Sequence, residues 1–308
     1  MSVLGIHHVT AISGHISGNL EFYTGVLGLR LVKKSINQDD VKAYHLFYAD
    51  AMASPGTDLT FFDWPKIHPN QPGPGSVALI SLRISRSSLD FWETRLREAG
   101  ALVERDENHI LLADPEGQRL AMLVDDGLPG QFEPWSACVP AEHATRGFYG
   151  IEIDSMRPEG TSAVLKSLLG FEEVAPGYFE LKTEESFAQV VMGRSMSNQR
   201  GYPGAGGVHH VAFRAKDDDH MKQLQEKIEK FGLQTSGYVD RYYFHSLYFR
   251  EPGGVLFEIA TDGPGMHMDE EMDHLGEKLS IPPFLEGQRE AIEAGLKPLP
   301  DPAYMSKK

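Results

Sequence analysis

The stretch GIHHVTAI at residues 5–12 returns almost unchanged as GVHHVAF at residues 207–213. Each copy opens a segment with the same succession of patterns, and two further segments between them share that succession without the histidines. Internal repetition constrains a fold more than any local propensity does. A unit that cannot bury its apolar face alone must pack against its copies. Each segment begins with a short strand-like run, passes into an amphipathic helical pattern that stops at a glycine, and ends in alternating runs near a turn. The first runs from GIHHVTAI through NLEFYTGVLG, closing at Gly28, to GTDLTFFDW. The second starts at SVALISLRI, closes its helix at Gly100 and ends with DPEGQRLAMLVDD. The third starts at GFYGIEIDS, closes at Gly170 and ends near FAQVVMGR. The fourth starts at GVHHVAFRA, closes at Gly232 and ends with EPGGVLFEIATD. A glycine just past the last apolar helical position is what a left-handed helix cap requires. Four βαβββ units of about 50 to 60 residues follow, an α+β chain with no Gly-rich phosphate loop.

Two Pro- and Gly-rich stretches punctuate the repeats, WPKIHPNQPGPGS and DGLPGQFEPWSACVPAEHATRG. The longer predicts a boundary. It divides an N-terminal domain of two units (1–125) from a C-terminal domain of two units (146–262), with 126–145 as linker. Residues 263–308 form a tail with one helix around FLEGQREAIEAGL, read as an arm on the body or on a second subunit.

With 308 residues and 41% hydrophobic content the chain can build its core without staples. Its single cysteine, Cys138, excludes an internal disulfide and a cysteine zinc cluster, and fits a reducing compartment, the cytoplasm. The start MSVLGIHHVT lacks the basic and apolar regions of a secretion signal, and no run approaches the roughly 20 apolar residues that span a bilayer. A net charge of −15, with no basic run to offset it, argues against nucleic acid. A small molecule or another protein is left as partner.

Superposing the first strands on the helix-capping glycines brings His8 and His210 to one position, where the second and third units carry Ile80 and Tyr149 or Gly150. Superposing the last strands on their turns sets Glu258 opposite Ala121, while the first unit shows the apolar LTFF. A carboxylate inside VLFEIA is costly to bury without a cation or a hydrogen-bond donor. Two histidines and one carboxylate hold non-haem Fe(II) on one face and leave positions open, whereas structural zinc takes four protein ligands and Mg or Ca more oxygen. His8, His210 and Glu258 are therefore the candidate ligands. Strand alternation places Thr10 on the face of His8 and sends His7 and His209 away from their neighbours. His68, His109, His143 and His267, outside the repeat register, are assigned to the surface.

Over about residues 1–262 this pattern resembles the vicinal oxygen chelate superfamily, which includes glyoxalase I and the type I extradiol dioxygenases. GIHHVT, GVHHVAF, VDRYYFHSLYFREPGG and the tail PPFLEGQRE resemble its ring-cleaving dioxygenases that act on hydroquinones. The resemblance implies that the βαβββ units form cupped mixed sheets. It implies Fe(II), with Mn(II) as an alternative ion, and an aromatic diol and O2 as reactants. It also implies Tyr248, ten residues before Glu258, with Arg241, His209 and Thr10 around the substrate, and His7 in a structural role. Parity agrees for Thr10 but not for His209 or Arg241, which need a bulge or strand end to re-aim them. A homo-oligomer, a dimer, is expected by the same likeness. Three other readings stay open: a catechol extradiol dioxygenase, a glyoxalase-like isomerase or thiol transferase, which usually carries a fourth protein ligand, and a metal-free binding protein.

Overall fold

The computed structural model of the chain describes residues 2–193, 197 and 199–305, so Met1 and Arg194, at the ends of two segments named above, lie outside the described residues. The first unit comprises β1 (Ile6–Ser13), α1 (Ile16–Glu21) running into a π turn (Phe22–Val26), β2 (Arg30–Asn37), β3 (Asp40–Ala49) and β4 (Asp58–Asp63). The second comprises β5 (Ser76–Ile84), α2 (Leu89–Glu98), β6 (Glu104–Arg105), β7 (His109–Ala113) and β8 (Arg119–Val124). The third has β9 (Phe148–Asp154), α3 (Pro158–Ala163) with its own π turn (Val164–Leu169), β10 (Glu172–Ala175), β11 (Tyr178–Lys182) and β12 (Phe187–Met192). The fourth has β13 (Gly207–Ala215), α4 (Asp218–Lys230), β14 (Val239–Asp240), β15 (Phe244–Arg250) and β16 (Leu256–Pro264). Gly28, Gly100, Gly170 and Gly232 take φ of +70°, +82°, +86° and +96°, a backbone turn that a Cβ would oppose.

The strands form two eight-stranded mixed sheets, β14-β15-β16-β13-β1-β4-β3-β2 and β10-β11-β12-β9-β5-β8-β7-β6. The first unit thus joins the fourth, and the second joins the third. Sheet pairing crosses the 126–145 boundary, which divides the chain but not the sheets. At each junction two first strands run antiparallel, β1 with β13 and β5 with β9, so that each covers the other's open edge. Val9, Ile80, Ile151 and Val211 stand at matching places on these four strands and share one buried core. In the first sheet Val9 and Val211, with Leu59, Phe61, Phe257 and Ile259, occupy the face opposite His8 and His210. The other face of the first sheet is left for chemistry.

Beyond β16 the tail turns back onto the body. Ser35 Oγ donates to the Ser280 carbonyl (2.7 Å), Tyr44 OH donates to the Lys297 carbonyl (2.8 Å), and Ile292 of α5 (Arg289–Gly295) is buried with Ile36 and Ile281. Among the described residues no helix is long and apolar enough to cross a membrane.

Candidate metal centre

Glu258 is fully buried in the middle of β16, facing two buried histidines. Its Oε1 accepts from Ser246 Oγ at 2.5 Å, and its Oε2 lies 2.9 Å from His210 Nε2 and 3.3 Å from His8 Nε2. The two Nε2 atoms are 3.4 Å apart. Despite these distances Oε2 has no hydrogen bond of acceptable direction. A buried carboxylate oxygen left unpaired against two ring nitrogens makes the donor set of a shared cation. Burial pushes the Glu258 carboxyl up, but the two histidines outweigh it and hold the net pKa well below the usual range. Burial lowers His210 below an ordinary histidine, which favours the neutral, ligating imidazole. His8, His210 and Glu258 therefore fit a metal ion.

The paired histidines owe their aim to two bulges. Against β13, β1 slips between Ile6 and His8, and against β1, β13 slips between Val208 and His210. In each slip the extra residue is the outer histidine, and a bulge turns consecutive side chains toward one side. The alternation expected to send His7 and His209 away is overturned. His7 Nδ1 lies 2.9 Å from His8 Nδ1, and His209 Nδ1 lies 2.8 Å from His210 Nδ1. When an inner Nε2 presents its lone pair to a cation, its Nδ1–H donates to the outer ring and fixes tautomer and orientation. Burial, followed by the neighbouring histidine, pushes His7 well below its ordinary value and His209 down to about 3, so both outer rings remain neutral acceptors. His209 stands behind His210, edge-on to Phe62 and Trp64.

The remaining expected residues separate into two groups. Arg241 follows β14 and donates from Nε to Tyr248 OH (3.2 Å), its guanidinium 5.4 Å from the Tyr248 ring. Tyr248 pairs with Glu258 across β15 and β16, and its ring is 5.7 Å from that of His210. Burial raises the Tyr248 phenol, which keeps its proton. Next to Arg241, Tyr242 has φ of +72°, a conformation costing a non-glycine residue about 1–2 kcal/mol, so the turn is held against strain. Thr10 does share the face of His8, but its hydroxyl pairs with Thr60 Oγ1 (2.8 Å), which also meets His45 Nε2 (2.9 Å).

Strand register explains that arrangement. Thr10 pairs with Thr60 as Ala212 pairs with Glu258, each two residues beyond a histidine of the triad. Thr60 is thus the first unit's counterpart of Glu258, and the run LTFF is polar at the position that matters. Phe47 pairs with Thr60 as Tyr248 pairs with Glu258. In the second sheet Leu79, after an equivalent slip, pairs with Glu152 as His8 pairs with Ala212; Leu79 and not Ile80 is the counterpart of His8.

His45 and Ser246 were not legible as site residues. Ser246 and Tyr248 share a strand face two residues apart, the one signal that pointed to it. His45 had no repeat partner to mark it. Of the histidines assigned to the surface, His68 and His267 are exposed, whereas His109 is half-buried and His143 is half-buried in a stack on Phe91. Phe47, Phe62, Phe244 and Tyr243 wall a small cleft over His8 and His210, with Ser35–Asp39 on one side.

Residues 5–121 and 152–259 match the sequence profile of the Glyoxalase/Bleomycin resistance protein/Dioxygenase superfamily. The chain belongs to this superfamily. Within the superfamily it is 41% identical to "Putative ring-cleaving dioxygenase MhqA" of Bacillus subtilis (strain 168), over 97% of this chain and 100% of that protein. It is 28% identical to "Chlorohydroquinone/hydroquinone 1,2-dioxygenase" of Sphingobium indicum, over 97% of each chain. Among solved structures, a "putative dioxygenase" from Bacillus subtilis superposes with a TM-score of 0.89 at 36% identity, covering 97% of this chain and 98% of that one. The superfamily fold and its ring-cleaving dioxygenases are what the chain is similar to along nearly its whole length.

Proposed function

We propose that the protein is an Fe(II)-dependent dioxygenase that opens the ring of a hydroquinone with O2. One observation carries the reading. The cluster holds one carboxylate and two imidazoles, with neutral Thr60 where a second carboxylate would stand, so a bound ion keeps positions for both reactants. The same threonine disfavours the glyoxalase-like alternative. Similarity to a hydroquinone 1,2-dioxygenase supports the choice of diol.

Fe(II), or Mn(II) in its place, held by His8, His210 and Glu258 would supply electronic coupling between diol and O2 and acidity for a diol hydroxyl. The protein supplies the rest. Phe47, Phe62 and Phe244 exclude water and hold an aromatic ring by its faces. Tyr248 keeps a phenolic proton beside His210, within reach of an oxygen that gains charge, and Arg241 aims that phenol. His7 and His209 act through the ligands by accepting hydrogen bonds from their Nδ1–H groups, and Thr10 holds Thr60, which holds His45. One cysteine in 308 residues supports a reducing, cytoplasmic setting.

Oxygen uptake by anaerobically prepared, Fe(II)-loaded protein tests the reading, with methylhydroquinone and methylcatechol run in parallel. Rapid uptake with the hydroquinone, lost in His8→Ala, is expected. Uptake with the catechol alone would keep the ligands and replace the substrate. No uptake with either would sink the dioxygenase reading.

A further inference from the structure

Among the described residues lining the cleft one side chain, Arg241, carries a fixed positive charge, and it is already paired. Among these residues, Arg241 and Asp39 are the charged side chains apart from the histidines. Burial, followed by His8 and His210, lowers His45 well below an ordinary histidine. Arg241 Nη1 donates to Asp39 Oδ1 (3.2 Å) and Nη2 donates to Asp39 Oδ2 (2.9 Å), a two-pronged pair, while Nε is spent on Tyr248. Asp39 sits in the two-residue link between β2 and β3, and its side chain is 73% exposed against 19% for Arg241. A ligand entering beside Arg241 meets the carboxylate first.

We infer that Asp39 determines substrate charge: by holding Arg241 it makes the cleft accept hydroquinones with uncharged ring substituents and turn away those bearing a carboxylate. The inference rests on the hydroquinone reading and sharpens it to a substrate class. A carboxylated diol would have to displace a bidentate partner from Arg241 and lie beside a like charge at the mouth. A methyl, halogen or amide substituent makes neither demand, and the phenylalanine walls favour it. Gln38 bears on the test, because its Nε2 donates to the Arg241 carbonyl at 2.8 Å. The link between the strands therefore stays fastened to the Arg241 turn when the Asp39 charge is removed, and Asp39→Asn keeps nearly the same shape.

The experiment compares two diols of nearly equal size, 2,5-dihydroxyphenylacetamide and 2,5-dihydroxyphenylacetate. Each is titrated calorimetrically into anaerobic Fe(II)-loaded protein, with methylhydroquinone-driven O2 uptake and iron content measured on the same preparations. The wild type is expected to bind the amide at least about tenfold more tightly than the acid. Asp39→Asn should shrink that ratio by about tenfold or more through tighter binding of the acid, and Asp39→Glu should restore it. An unchanged ratio in Asp39→Asn, or equal binding of both diols by the wild type, overturns the inference. Failure of both diols to bind the wild type also overturns it. The O2-uptake arm distinguishes the two readings: uptake with methylhydroquinone alongside an unchanged ratio leaves the hydroquinone function standing and Asp39 without this role.

Discussion

The Tyr248 hydroxyl accepts from Arg241 Nε while its ring meets His210 edge-on, so it touches the site without binding the candidate ion. Tyr248→Phe should lower turnover on the order of a hundredfold and leave iron content unchanged, as loss of a proton donor does. Turnover and iron falling together would show that the ring merely supports the ligands; steady-state O2 uptake and metal analysis on one preparation separate the cases. Ser246 calls for the opposite signature. Its Oγ is the partner of Glu258 Oε1, so Ser246→Ala leaves that buried oxygen bare and should weaken Fe(II) affinity roughly tenfold or more in an anaerobic metal titration. An unchanged affinity would remove Ser246 from the support of Glu258. Of these two residues only Tyr248 was marked in the sequence, through its place in VDRYYFHSLYF. A serine fits anywhere in a strand, and beyond its parity with Tyr248 nothing short of the β15–β16 pairing distinguishes one that meets a carboxylate.

At the level of elements, the repeats were legible because each helix ends where the backbone requires glycine. Which units share a sheet was not, since every first strand offers the same kind of open edge. The bulges at His7 and His209 were hidden for a related reason. A bulge is one extra residue with no composition of its own, and period-two counting sends it to the wrong face. The pseudo-symmetry that these pairings create also makes a prediction about Thr60. It stands where the first unit's carboxylate would be, already oriented toward the site by Thr10 and His45. Thr60→Glu should therefore retain or tighten metal binding while O2 uptake with hydroquinone falls at least about tenfold, because a fourth protein ligand fills a position that reactants need. Unimpaired uptake with bound metal would mean that Thr60 does not face the ion, and the assignment of the open position would fail with it.

Across the whole molecule, the tail is tied to the cleft through a buried cation. Lys33 has no exposed surface; its Nζ donates to Asp269 (2.7 Å) and Glu270 (2.5 Å) and lies 4.8 Å from the centre of the Tyr243 ring. Tyr243 donates to the same Asp269 at 2.9 Å and forms part of the cleft wall. Glu270 in turn accepts from the backbone N–H groups of Gly276 and Lys278 and from Ser280 Oγ, so one carboxylate gathers the turn of the tail. Lys33→Met fills much the same volume but strands the Glu270 charge, and breaking one side of a buried pair costs about 3 kcal/mol or more. Denaturant unfolding should show that loss, and KM for hydroquinone should rise as Tyr243 loses the cation against its ring, with iron content intact. Lys33→Met combined with Glu270→Gln removes the stranded charge and should recover part of the stability. If the double variant is no more stable than the single one, the loss comes from packing around Lys33 rather than from charge. If KM is unmoved in both, the tail braces the β2–β3 edge without shaping the cleft.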